Sequence, residues 1–85
     1  MIKTDNKNVI KNYLQFRDSK SHTENLYTRY NYNNEWELVN YSTPLVRIVG
    51  NTLYLNTKKY SITTSKIQTY IKRAIADTNY DIVEM

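Results

Sequence analysis

Between Asp5 and Arg17 the apolar residues Val9, Ile10, Tyr13, Leu14 and Phe16 fall close to one face of a 3.6-residue period, while Lys7, Lys11 and Asp18 fall on the other. This pattern predicts a first amphipathic helix. Thr4 or Asp5 is its N-cap, since a short side-chain oxygen accepts from backbone N–H groups two or three residues on. Asp18 to Asn25, with its serines and His22, has no periodicity and reads as a loop. At Leu26 the period drops to two, with Leu26, Thr28, Tyr30 and Tyr32 alternating against Tyr27, Arg29 and Asn31. The alternation predicts a strand, and a second from Trp36 to Tyr41 after a turn at Asn33-Asn34. A turn through Glu35 sets Tyr32 opposite Trp36 and Tyr30 opposite Leu38, which gathers the aromatics on one side. A tighter turn would put Tyr30 opposite Glu37 and mix the two faces. Pro44 is expected to interrupt pairing after this strand.

Leu45 to Val49 and Thr52 to Asn56 flank Gly50-Asn51, a primed-turn hairpin signal. Pairing Val49 with Thr52 sets Ile48 opposite Leu53 and Val46 opposite Leu55, with Arg47 opposite Tyr54 on the other face. The last clear element runs from about Thr64 to Asp77, where Ile67, Tyr70, Ile71, Ala74 and Ile75 repeat at helical spacing. Ser65-Lys66-Ile67-Gln68 fits the capping-box template and marks its start. Tyr80 to Met85 reads as a short edge strand or a frayed tail. The expected architecture is therefore a single α+β domain over residues 1–85. It has an N-terminal helix, an antiparallel sheet of three to four strands built from hairpins, and a C-terminal helix packed on the sheet.

Composition narrows the class. With 85 residues, 40% of them hydrophobic, the chain can build one modest core; a domain of this size buries roughly 60 to 65% of its unfolded surface, which leaves a homodimer open. The absence of cysteine excludes a disulfide framework, a thiolate nucleophile and a zinc knuckle, and fits a reducing compartment, with the cytoplasm as the default. No apolar stretch approaches the roughly 18 residues of a membrane span, and the amino terminus lacks the apolar core of a signal peptide. Eleven Asn, nine Tyr and eight Lys, all with A/T-rich codons, point to a low-GC genome.

Charge supplies the main functional clue. From Leu38 to Ala76 there are six basic side chains (Arg47, Lys58, Lys59, Lys66, Lys72 and Arg73) and no Asp or Glu. Such clustering is the electrostatic footprint of a protein that meets a polyanion or an acidic partner. Two places concentrate it. The junction Lys58-Lys59-Tyr60-Ser61-Ile62-Thr63-Thr64-Ser65-Lys66 puts cations and hydroxyls at a helix start, where free N–H groups favour an anion; Thr64 and Ser65 there also satisfy ordinary capping needs. On the polar face of the second hairpin, Arg47 and Tyr54 could track phosphate and stack on a base, or simply form a cross-strand pair. Lys66, Lys72 and Arg73 make a basic stripe on the second helix, which is also the ordinary wet side of such a helix.

Catalysis has little to stand on. His22 sits among Ser19, Ser21 and Thr23 in the expected loop with no nucleophile motif, and Glu35 and Glu37 flank Trp36 near a turn without the placement of an acid/base pair. No Walker spacing, metal-ligand cluster or cofactor motif occurs.

The run Tyr54-Leu55-Asn56-Thr57-Lys58-Lys59-Tyr60-Ser61-Ile62-Thr63-Thr64-Ser65-Lys66-Ile67-Gln68, preceded by Trp36-Glu37-Leu38 and Tyr41-Ser42-Thr43-Pro44, resembles a group of small phage and mobile-element proteins of low-GC bacteria. The resemblance covers about residues 36 to 75. The group has no assigned activity, so no functional residue carries over, but it implies an accessory protein that binds nucleic acid or blocks a host machine, as inhibitors of CRISPR effectors do. The expected function is a non-enzymatic binder, needing no cofactor. Its basic face (Arg47, Tyr54, Lys58, Lys59, Tyr60, Thr64, Ser65, Lys66, Arg73) docks on nucleic acid or a ribonucleoprotein. The alternatives are an inhibitor directed at an acidic host protein and a structural homodimer.

Overall fold

The computed structural model describes residues 1–85. Its strands are β1 (Ile2–Thr4), β2 (Ser19–Ser21), β3 (Leu26–Tyr30), β4 (Trp36–Asn40), β5 (Thr43–Val49), β6 (Thr52–Leu55) and β7 (Asp81–Glu84). Helix α1 (Asn6–Leu14) lies between β1 and β2, and α2 (Ile62–Ile75) between β6 and β7. All seven strands join one sheet whose spatial order follows the chain. The middle is an antiparallel meander, while β1 pairs with β2 and β6 with β7 in parallel. This corrects the expected antiparallel sheet of three to four strands with a helix at each end: the sheet is mixed, and each helix is the crossover of a βαβ unit. Two strands, β1 and β2, escaped the sequence because each is only three residues long and carries no apolar alternation; β7 is the short edge strand that Tyr80 to Met85 allowed. Their pairing is imposed by the helices, which return the chain parallel to where it left.

Direction fixes where the helices go. The pairings make β1, β2, β4, β6 and β7 run one way and β3 and β5 the other. The two crossovers therefore leave strands of the same direction and step the same way along the sheet, so crossovers of the same hand fall on the same face. That face holds the core: Val9, Ile10 and Tyr13 of α1 and Ile67, Ile71 and Ile75 of α2 pack on Leu26, Trp36, Leu38, Val46, Ile48, Leu53 and Leu55. The other face of the sheet has no helix. No helix is long and apolar enough to cross a membrane.

Register was legible where turn and alternation agreed. The β5–β6 hairpin pairs Val49 with Thr52, Ile48 with Leu53, Arg47 with Tyr54 and Val46 with Leu55, as expected. Gly50 takes φ +58°, which the primed turn requires. In the β3–β4 hairpin Tyr30, not Tyr32, lies opposite Trp36, and Thr28 lies opposite Leu38. The cause is Asn31, whose Oδ1 accepts from the N–H groups of Asn33 and Glu35 at 2.9 Å. Asn34 supplies the left-handed residue of the turn, with φ 61°. The shift is two residues, an even number, so every side chain keeps its expected face and Tyr32 is released to solvent. Pro44 does not interrupt pairing: β5 begins at Thr43 and pairs with β4 through a bulge at Leu38/Val39, which spares the ladder the missing proline N–H.

Both helices start at polar caps. Asp5 accepts from Asn8 N–H at 2.8 Å, as expected. For α2 the cap is Ser61, which accepts from Thr64 N–H at 3.3 Å, so the Ser65–Gln68 capping box is corrected. The first turn, Ile62-Thr63-Thr64, lay outside the apolar stripe because Ile62 points to solvent. Gln68 is instead buried in mid-helix, where its Nε2 donates to the carbonyls of Asn56 (2.9 Å) and Lys58 (3.0 Å).

The central strand and α1 are clasped by a reciprocal pair. Tyr13 Oη donates to the Trp36 carbonyl at 2.7 Å, and Trp36 Nε1 donates to the Tyr13 carbonyl at 2.8 Å. Their rings stack at 5.4 Å with an interplanar angle of 7°. Tyr13→Phe removes one arm and leaves a buried carbonyl short of a donor, so urea denaturation at neutral pH should show a loss of about 1–2 kcal/mol. Burial, reinforced by Glu37 and Tyr80, holds the Tyr13 hydroxyl far above its ordinary value of 10.0. Above pH 10 the unfolded chain therefore releases a proton that the folded chain keeps, and stability falls as pH rises; below pH 10 the difference vanishes. This tyrosine contributes a slope of about 1.4 kcal/mol per pH unit in that window. Parallel urea titrations of wild type and Tyr13→Phe should differ by that slope.

Candidate functional site

The nine residues expected to form one basic face do not share a surface. Arg47 and Tyr54 alternate with Ile48 and Leu53, and so lie on the helix-free side of the sheet. There the Arg47 guanidinium sits 4.6 Å from the Tyr54 ring and 3.9 Å from Glu35. Its Nε is buried and makes no hydrogen bond. Beside it, Arg29 Nε donates to buried Glu37 at 3.0 Å, and Asn31 Nδ2 reaches Glu35 Oε1 (3.0 Å) and Glu37 Oε2 (3.3 Å). Arg47 is thus held within an internal network by charge and ring contacts, with its Nε left unpaired.

Thr64 is also taken up internally. Thr64 is buried, and its Oγ1 donates to Asn40 Oδ1 at 2.7 Å, tying the first turn of α2 to the end of β4. Ser65, the fourth residue of α2 and half-buried, is not its cap, and its carbonyl accepts from Thr69 Oγ1 at 3.0 Å.

Lys58, Lys59, Tyr60, Lys66 and Arg73 remain, all exposed. The loop that carries the first three is firmly held. Asn56 Nδ2 donates to the Pro44 carbonyl (3.1 Å) and to Tyr60 Oη (3.0 Å), its Oδ1 accepts from Lys58 N–H (3.0 Å), and Gln68 binds the Lys58 carbonyl. The backbone is thereby fixed while the Lys58 and Lys59 side chains are left in solvent. On α2, Lys66 and Arg73 are seven residues apart, two turns, and so lie on one line of its outer surface.

The whole charge distribution divides along the topology. The two crossover segments, residues 5–18 and 56–80, hold eight cations (Lys7, Lys11, Arg17, Lys58, Lys59, Lys66, Lys72, Arg73) against three carboxylates, a net +5. The strands and hairpins hold four cations against five carboxylates, a net −1, and the two make up the chain's +4. Every ion pair belongs to the second group: Arg29–Glu37, Arg47–Glu35, Lys3–Glu24 and Lys20–Glu24. Lys20, hydrogen-bonded to Glu24, is the main reason that this exposed carboxyl sits below its usual range, and Lys3 adds to the effect. None of the eight crossover cations pairs with a carboxylate.

Three residues join this surface that sequence reasoning did not select. Between α1 and α2 runs a groove of about 470 Å³, open to solvent, with Lys7, Lys11 and Arg73 around it and Ile10, Leu14, Tyr70 and Ala74 within it. Lys7 Nζ lies 4.9 Å from the Tyr70 ring centroid. Lys7, Lys11 and Tyr70 went unselected because the first two lie outside the acid-free stretch and the third reads as part of the apolar stripe. The available signal was the placement of Lys7 and Lys11 one turn apart on the polar side of the first helix.

No protein-family model, curated protein or solved structure matches the chain.

The two charge systems should respond differently to substitution. Glu37→Gln removes the charge of a buried carboxylate that accepts from the partly exposed Arg29 and should lower unfolding free energy by about 1–3 kcal/mol. Lys11→Ala and Lys66→Ala, at exposed unpaired positions, should stay within about 0.5 kcal/mol of wild type in the same urea titration.

Proposed function

We propose that this protein is a non-enzymatic nucleic-acid-binding module that docks its two-helix layer on the sugar–phosphate backbone. One observation carries the reading: all eight cations free of carboxylate partners lie on the two crossover segments, while the four paired ones lie on the sheet. Lys and Arg side chains that spend no charge inside the protein are available to replace the counterions of a phosphate chain. The held loop at Lys58 and Lys59 supports the same reading, because a rigid backbone presents its cations with less ordering cost on binding. Arg47, Tyr54, Thr64 and Ser65 have no part in it.

A second reading, an inhibitor directed at a host protein, draws on the exposed aromatics at the end of the sheet remote from the helix starts. Phe16 and Tyr30 are both more than half exposed although their rings approach Trp36 at 6.1 and 4.8 Å, and Tyr32 is fully exposed. Exposed aromatic groups of this kind serve as interface anchors.

The first reading is tested by titrating the protein against labelled single- and double-stranded DNA and RNA at low salt. Affinity should fall steeply between about 50 and 200 mM salt, with a log–log slope of about −4 for duplex DNA and about −3 for single strands if four or five phosphates are engaged. The double charge reversal Lys66→Glu with Arg73→Glu should cost at least about ten-fold, whereas Lys20→Gln on the sheet should change little. Absence of binding to every member of the panel at low salt ends this reading. A stoichiometric protein partner that survives nuclease and high salt would favour the second.

A further inference from the structure

We infer that the groove between α1 and α2 receives an unpaired nucleobase, so that the helix layer selects single-stranded over duplex nucleic acid. This rests on the reading of the helix layer as a phosphate-binding surface and adds which form of nucleic acid it takes. The groove combines what a flexible strand requires. Lys7 and Lys11 stand on one wall, four residues or about 6 Å of helix rise apart, and Arg73 stands on the other. Ile10 and Leu14 give it an apolar floor, Tyr70 contributes an aromatic ring, and no carboxylate lines it. Its volume of about 470 Å³ exceeds that of a single base, and its open form suits a base arriving on a continuous chain rather than an enclosed small molecule.

Duplex nucleic acid presents phosphates on a convex surface and keeps its bases stacked inside, so it would meet the cations and leave the apolar floor and the Tyr70 ring unused. A single strand can turn a base into the concavity while its flanking phosphates meet the cations, the combination of stacking platform and charged groove that serves single-strand binding elsewhere. Lys7 Nζ now occupies the space over the ring, 4.9 Å from its centroid. On binding, the base takes that place and the long Lys7 side chain turns to the adjacent phosphate.

The test compares oligothymidylate with a duplex of the same length by fluorescence anisotropy at one low salt concentration, for wild type, Tyr70→Phe and Tyr70→Leu. Wild type should prefer the single strand by roughly ten-fold, the scale of one stacked base. Tyr70→Phe should keep that preference, because the ring remains. Tyr70→Leu should lose it while duplex affinity and salt slope stay unchanged. Tyr70 is only partly buried, so both variants are expected to fold, which circular dichroism checks. Equal wild-type affinity for the two forms, or a preference that survives Tyr70→Leu, overturns the groove inference and leaves the phosphate reading standing. Binding to neither form overturns both.

Discussion

Everything distinctive about this molecule follows from the direction of two strands. β1 and β6 run the same way and their crossovers step the same way, so both helices must share one face of the sheet. Had the meander contained one strand more or fewer, β6 would have run opposite to β1. A crossover of the same hand would then have fallen on the other side. The even number of antiparallel turns, four between β2 and β6, is thus what gathers two distant basic segments into one layer and leaves the opposite face to carboxylates and tyrosines. Charge separation in this protein is a product of topology before it is a product of composition.

The helix layer is assembled against its own local interests. Neither helix has an acid in its first turn, and Lys7 sits in the first turn of α1, where the helix dipole disfavours a cation. Lys7 and Lys11 are like charges at the spacing where opposite charges would help. What holds the helices is packing. The apolar sides of both meet a continuous sheet surface, the Tyr13–Trp36 clasp fixes α1 to the central strand, and Thr64 and Gln68 fix α2 to the strand ends. Local preference gives way where tertiary burial is strong.

How much of this could be read from the sequence depended on whether two signals coincided. At Gly50-Asn51 the turn residues and the flanking alternation demanded the same register, and that hairpin was fully legible. At Asn33-Asn34 the alternation fixed the faces, but the side-chain bonds of Asn31 moved the register by two, a choice invisible to periodicity. β1 and β2 gave no signal, because a three-residue strand owes its place to what pairs with it, and for β7 the sequence left edge strand and frayed tail open. The start of α2 was misplaced because Ile62, an apolar residue at a helix start, faces solvent. For the site, Lys58, Lys59, Lys66 and Arg73 were legible from the missing carboxylates alone. Arg47 and Tyr54 were in register but on the far face of the sheet, and the neighbouring of Lys7 and Tyr70, sixty-three residues apart in the chain, exists only once the sheet has closed the distance between its two crossovers.

The clasp at Trp36 also gives the protein an internal gauge. The chain's one tryptophan is 3% exposed, stacked flat on Tyr13 and hydrogen-bonded through its indole N–H. Its emission therefore reports whether α1 is seated on the central strand and whether the core around Trp36 is intact. A change at the outer helix surface that leaves that emission unmoved has altered what the surface meets and not how the molecule is built.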